Sequence, residues 1–374
     1  MNYTLFRVWG IPIRLNVSLI VFLPILAWLI GSGEQLAAYA SIINSLTPAT
    51  VEAADLADTD RWIVGTAAAV GLFASVTLHE LGHAWAAMRY DIKVESITLW
   101  ILGGLASLSE MPKEWNQEFW IAVAGPITSI LVGVVGIGAL YIIPPSASLV
   151  VFAIGFLAVM NIILAVFNMV PAFPMDGGRV LRALLARDRS YVSATRIATR
   201  AGSVFAVVFM ILGVLAFSPI LILVAAFIYI VGKSESRTVI LEELLSGLQA
   251  SDLIAESEPV PIDSTVASVV TRLFAARRTD LPVLNESGDM IGAVTASALS
   301  KIEPTRYEST TVGEVAVTDL PRIDTDTSAF DALQELNRMR ARVAFVEQDG
   351  VPIGLISQTD FAAVLDIRRD TVTF

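Results

Sequence analysis

The chain has 374 residues, a formal net charge of −11, no cysteine and only two histidines, and 55% of its residues are hydrophobic. With a mean hydropathy of +0.68, it exceeds the ~45–50% apolar share of ordinary soluble domains. The lack of cysteine excludes disulfides, thiolate metal ligands and cysteine nucleophiles, and the acidity speaks against nucleic acid or an anionic lipid surface as partner. The charge is unevenly spread, because residues 250–374 hold 20 Asp and Glu against 11 Lys and Arg. The C-terminal third therefore reads as a soluble acidic domain, and the apolar excess belongs to the first two-thirds.

In chain order, residues 1–16 form a short amphipathic lead with Arg7 and Arg14. Val17–Ile30 is the first apolar run, short for a span unless part of the lead joins it. No small-residue cleavage site follows, so it reads as a retained span and not a signal peptide. Residues 31–60 read as a polar connection carrying Glu34, Glu52, Asp55, Asp58 and Asp60. Trp62–Met88 is the second span. Arg89–Glu118 is mixed, with a strand-like Ile97–Leu108 broken at Gly103-Gly104. Phe119–Ile143 and Ser148–Val170 are the third and fourth spans, the latter ending at Pro171 and Pro174. Beyond a basic stretch, Ala201–Phe217 and Pro219–Val231 bring the count to six. Lys and Arg collect in connections on one side, from Arg7, Arg14 and Arg89 to the cluster between Arg179 and Arg200, while the opposite connections hold little beyond Arg61. That asymmetry predicts a multi-pass protein of the cell membrane with a cytoplasmic N-terminus and a cytoplasmic acidic tail.

Both histidines of the chain fall in the second span, as His79-Glu80-Leu81-Gly82-His83. A separation of four is about one helical turn, so the two imidazoles point the same way and can hold a zinc ion, with the intervening glutamate placed to take a proton from water. An isolated H-E-x-x-H arises by chance, and a lone helical histidine is usually a satisfied polar residue. Here a chain that otherwise avoids histidine has put both where buried polar groups are costly. Trp62 to His79 covers about 26 Å of a hydrocarbon layer roughly 30 Å thick, which places the pair inside the membrane near its cytoplasmic face. A catalytic zinc commonly has three protein ligands and one open position. Asp176 fits as the third, because the descent from Ser148 carries Asn168–Gly178 to the same depth and the prolines there stop the helix. The plain alternative is that Asp176 only caps a following helix. Asn168 reads as helix–helix glue or as a donor to a developing oxyanion.

With H-E-x-x-H at His79, Glu80 and His83 and N-x-x-P-x-x-P-x-D-G from Asn168 through Pro171, Pro174 and Asp176 to Gly177, the chain resembles the site-2 protease family of intramembrane metalloproteases. The Gly103-Gly104 strand and Ala124-Gly125-Pro126 fall between the two motifs in that family's order. The resemblance covers about residues 1–235. It implies one Zn2+ per chain on His79, His83 and Asp176, Glu80 as general base, Asn168 beside the oxyanion, and transmembrane segments of other proteins as substrates within the lipid bilayer. The segment 97–108 would receive an unwound substrate by strand addition. Two readings compete: a membrane transporter or channel gated by its tail, with zinc as cargo or structural ion, and a silent zinc-binding scaffold. A path of further ionisable groups through the spans would favour transport, and none is visible; the retained Glu80 argues against the scaffold.

The tail repeats itself. Pro261-Ile262-Asp263 recurs as Arg322-Ile323-Asp324, and Ile291–Thr295 recurs as Ile353–Ser357. Each half reads strand, helix, strand, strand, helix, and the pair resembles tandem CBS domains. That resemblance implies an adenine nucleotide (ATP, ADP or AMP) held by Ser357 and Asp360 in the second copy. The first copy departs from the pattern, with Ala298 where the aspartate would stand. A purely structural pair joining two chains as a homodimer is the alternative. The expected architecture is thus a polytopic α-helical membrane protein of about six transmembrane helices with a C-terminal cytoplasmic α/β CBS pair. Its divisions are 1–235 for the membrane domain, 236–250 for a linker helix, and 251–308 and 309–374 for the two CBS domains.

Overall fold

The amphipathic lead forms a β-hairpin. In the computed structural model β1 (Asn2–Val8) pairs antiparallel with β2 (Ile11–Asn16), Val8 opposite Ile11. The two residues between them, Trp9 and Gly10, both have positive φ (51° and 82°), the backbone that a two-residue hairpin turn requires. The structure describes residues 2–46, 58–101, 103–109, 112, 114–144, 146–255, 257–276 and 278–371. The chain divides into two compact units, Met1–Ser236 and Arg237–Phe374.

In the first unit Asn16 accepts from Ser18 N at 2.9 Å and caps α1 (Val17–Gly31). The polar connection expected after it contains a helix, α2 (Gly33–Leu46), while Glu52 and Asp55 lie outside the described residues. α3 (Asp58–Met88) carries the histidines and is followed by β3 (Val94–Trp100) and β4 (Gly103–Leu108). The strand-like stretch broken by glycines is therefore two strands of a hairpin, with Trp100 opposite Gly103. β3 also pairs with β2, parallel, so the sheet order is β1-β2-β3-β4 and β4 forms an edge. Alternate residues on the covered face, Ile11, Ile13, Ile97 and Leu99, bury against Leu19, Phe73 and Val76. This packing fixes the sheet on the helix that bears the site.

The remaining helices of the unit are α4 (Trp115–Leu140), α5 (Ser148–Asn168), α6 (Asp176–Ala186), α7 (Tyr191–Leu215) and α8 (Pro219–Leu245). Among the described residues five helices are long and apolar enough to cross a membrane: Asp60–Met88, Trp115–Leu140, Ser148–Asn168, Tyr191–Leu215 and Pro219–Leu245. A sixth crossing is completed if α1 and α2, bent by 66° at their junction, act as one span. The last two helices are longer than their apolar runs. α7 begins in the basic stretch, where Ser190 Oγ caps it by accepting from Ser193 N at 3.3 Å. α8 continues without a break through the segment expected as a separate link.

The second unit is built twice on one plan. β5 (Val260–Pro261), α9 (Val266–Ala276), β6 (Asp280–Leu284), β7 (Met290–Thr295) and α10 (Ala296–Leu299) are followed by β8 (Arg322–Asp324), α11 (Ala329–Arg338), β9 (Val343–Gln348), β10 (Val351–Ser357) and α12 (Gln358–Thr371). Each half forms a three-stranded sheet with one parallel and one antiparallel pairing. Val260, Val269 and Val283 lie in one core, and Ile323, Leu336 and Val346 in the other.

Candidate metal centre

His79 and His83 lie one turn apart on α3, both buried, with ring centroids 4.8 Å apart and the rings nearly perpendicular. Their Nε2 atoms are 3.2 Å from one another. Asp176, the first residue of α6, brings Oδ2 to 3.1 Å from His79 Nε2 and 3.2 Å from His83 Nε2. The non-helical stretch after Asn168, with Pro171 and Pro174, turns the chain from α5 into α6 and so delivers this carboxylate. Asp176 does not cap the helix, whose N-cap is Met175; it is the first helical residue and faces both imidazoles.

α4 holds the other side of each ring. His83 Nδ1 donates to the Ile121 carbonyl at 2.7 Å, which leaves the lone pair on Nε2 because a carbonyl can only accept. His79 Nδ1 pairs with the Ser129 hydroxyl at 2.9 Å. Gly125 lies between these two residues on α4, where a Cβ would run into Nε2 and Cε1 of His83 and come within 2.8 Å of His79 Nε2. Only a residue without a side chain lets α4 approach the cluster this closely. Ser129, Ile121 and the wall at Gly125 were not assigned from sequence. The spacing 121, 125, 129 was there to be read as one helix face, but a carbonyl partner leaves no mark in the sequence.

The residues present fit zinc. Two imidazole nitrogens and a carboxylate oxygen, all buried, converge at 3.1–3.2 Å, the kind of donor set zinc takes. Ligands ~2.0–2.1 Å from a tetrahedral zinc stand about 3.3 Å apart, close to what is seen. Among the described residues this is the group of His, Asp and Glu able to hold a metal ion.

Glu80 is half-buried beside His79, and its side chain lies against the backbone of Gly104 on edge strand β4, where a Cβ would come within 2.8 Å of the carboxyl carbon. Asn168 ends α5 half-buried and takes no part in the hydrogen bonds that hold the cluster. Deeper between α3 and α5, Asn161 donates to Ser75 Oγ at 2.9 Å and to the Leu157 carbonyl at 2.8 Å.

In the second unit Ser357 and Asp360 meet, but they bond to each other. The Ser357 backbone N–H and hydroxyl donate to Asp360 Oδ2 at 2.8 and 2.7 Å. Arg278 Nη2 approaches Asp360 Oδ1 at 3.2 Å, and the Thr279 and Thr359 hydroxyls are 3.3 Å apart. At the matching place in the first half Thr295 accepts from Ala298 N at 3.2 Å, and there is no carboxylate.

Fold and site together define the class: a polytopic helical membrane protein whose helices enclose two imidazoles and a carboxylate, with a glutamate alongside. Residues 67–148 and 143–209 match Peptidase family M50, and residues 312–367 match the CBS domain. The chain is 31% identical to a zinc metalloprotease of Methanocaldococcus jannaschii over 98% of its own length and 97% of the relative's. It is 32% identical to the protein Rip3 of Mycobacterium tuberculosis over 82% of each chain. A solved site-2 protease from Methanocaldococcus jannaschii is similar at 31% identity and a TM-score of 0.44, over 70% of this chain and 99% of that one. The chain belongs to peptidase family M50, the site-2 protease family of membrane zinc metalloproteases, and carries a CBS-domain tail.

Proposed function

We propose that this protein cuts peptide bonds within transmembrane segments of other membrane proteins, using zinc held by His79, His83 and Asp176. The observation that carries the reading is the convergence of those three side chains, with Glu80 placed between them and an edge strand. Zinc bound there supplies Lewis acidity, which acidifies water and polarises the scissile carbonyl.

The chain's own residues do the rest. β4 offers unpaired backbone groups at the sheet edge, and a locally unwound substrate adds to it as a further strand. Since Gly104 of that strand touches Glu80, strand addition puts a substrate carbonyl beside the glutamate. Glu80 takes one proton as the water oxygen bonds to the carbonyl carbon, then gives it to the departing nitrogen as the C–N bond breaks. The products are a carboxyl terminus and an amine. Asn168 donates to the oxygen that gains charge. Ser129 and the Ile121 carbonyl hold the rings so that Nε2 faces inward throughout.

The membrane domain is residues 1–235, residues 236–250 connect it to the tail, and the CBS domains are 251–308 and 309–374. N-terminus and tail face the cytoplasm of a cell-membrane protein. Ser357 and Asp360 form the one adenine-nucleotide site of the tail, through which ATP, ADP or AMP regulates cleavage; pairing of two chains through the CBS domains is the alternative role. Glu80 beside the proposed metal ligands favours hydrolysis over the transport reading. The test is Glu80→Gln in the full chain reconstituted with a transmembrane-segment peptide. Zinc content stays near one per chain by elemental analysis while cleavage is lost; full activity in the Glu80→Gln protein refutes the mechanism.

A further inference from the structure

Away from the metal cluster, the membrane unit buries a charge with several partners, Arg182 on α6. It is 3% exposed and Glu118 of α4 is 4% exposed. Nε of Arg182 donates to Glu118 Oε1 at 2.7 Å and Nη2 reaches the same oxygen at 2.5 Å. Nη1 donates to Glu235 Oε1 of α8 at 3.2 Å. Arg182 Cζ also lies over the Phe173 ring, 4.9 Å from its centroid, and over the Tyr191 ring, 4.8 Å from its centroid. None of these groups is needed for the chemistry above, yet their placement is specific. Arg182 is six residues, about 9 Å of helix, beyond Asp176. Phe173 lies three residues before Asp176, in the non-helical stretch that delivers it. Glu118 stands on α4 at positions −3, −7 and −11 from Ile121, Gly125 and Ser129, the face that holds the imidazoles.

We propose that Arg182 is a positioning residue for the metal centre: bonded to Glu118 and held over the Phe173 ring, it sets α6 against α4 and thereby the distance of Asp176 from the two histidines. Stability alone does not explain the arrangement. Desolvating a buried ion pair offsets most of its attraction, so an apolar pair of similar size commonly leaves stability unchanged. Glu118 Oε2 is itself buried without a hydrogen-bond partner among the described residues, a further cost of this geometry. What an apolar pair cannot reproduce is direction. Two donors of one planar fork on one carboxylate oxygen fix the register of α6, a short helix entered from a proline-containing segment, more narrowly than packing does.

The role rests on the reading of His79, His83 and Asp176 as zinc ligands, and the test separates the two. Purified full-length protein is prepared metal-free as wild type, as the double variant Arg182→Met with Glu118→Leu, and as Arg182→Lys. Thermal unfolding, zinc affinity by chelator competition, and the visible absorption of the cobalt(II)-loaded protein are recorded for each. The double variant is expected to unfold near the wild-type temperature, yet bind zinc about 10–100-fold more weakly, the usual effect of losing a group that orients a ligand, and to show an altered cobalt spectrum. A folded double variant with wild-type affinity and spectrum overturns the proposal. Should it fail to fold, Arg182→Lys decides: it keeps the buried charge but not the fork, so weaker zinc binding with a changed spectrum supports the proposal and wild-type values refute it. A wild-type chain that binds no zinc refutes the metal centre itself and this role with it, whereas variants matching a zinc-binding wild type refute Arg182 alone.

Discussion

Gly125→Ala sets helix propensity and site geometry against each other. In an exposed helix the change favours folding by about 1 kcal/mol, because alanine loses less backbone freedom than glycine. Here the added methyl meets the ligand atoms, colliding with His83 Nε2 and Cε1 and standing 2.8 Å from His79 Nε2. That last separation is ~0.7 Å inside an ordinary nonbonded contact of about 3.5 Å. The rings have little room to yield, because Ser129 and the Ile121 carbonyl hold their far sides at 2.9 and 2.7 Å. Relief requires α4 to retreat, at ~1–3 kcal/mol for overpacking, or an imidazole to leave the cluster. Either displaces a ligand, and a loss of about 10–100-fold in metal affinity corresponds to ~1.4–2.8 kcal/mol, more than the propensity returns. The assay is zinc affinity of the purified protein by chelator competition, with cleavage of a transmembrane-segment peptide alongside and thermal unfolding of the metal-free protein as a control for folding. A Gly125→Ala protein that binds zinc and cleaves as wild type does refutes the placement of α4 against the cluster.

Asp176→Asn is expected to lower zinc occupancy and activity together, since a neutral amide binds zinc more weakly than a carboxylate; retention of both by elemental analysis and cleavage assay would move the third ligand to another acid. Gly104→Ala should do the reverse, keeping zinc while slowing cleavage by tenfold or more, because its methyl would displace the Glu80 carboxyl and not a ligand; loss of zinc in that variant would count against the assigned roles. For the tail, calorimetry on the full-length protein should find at most one adenine nucleotide per chain, with affinity abolished in Asp360→Ala. An unchanged heat in that variant, or none in the wild type with ATP, ADP and AMP, would remove the nucleotide site and leave the CBS pair as an assembly module.

Much of this protein was determined locally and was legible in the residues. His79 and His83 face the same way because helical periodicity is a property of four consecutive residues, and Asp176 could be put beside them because span length converts to depth at a fixed rise per residue. The doubled tail was equally plain, as two runs of the same strand-and-turn pattern. The N-terminal hairpin was not legible, because Trp9-Gly10 is a weak turn signal and the parallel pairing that completes its sheet joins Ile13 to Ile97. Glu80 against edge strand β4, Ser129 and the Ile121 carbonyl behind the imidazoles, and the 64-residue separation bridged by Arg182 and Glu118 were decided only by the tertiary structure. Pattern in a sequence records which face of an element is apolar. Which backbone lies against that face, and which carbonyl or hydroxyl it brings within hydrogen-bonding distance, is settled only when distant helices pack.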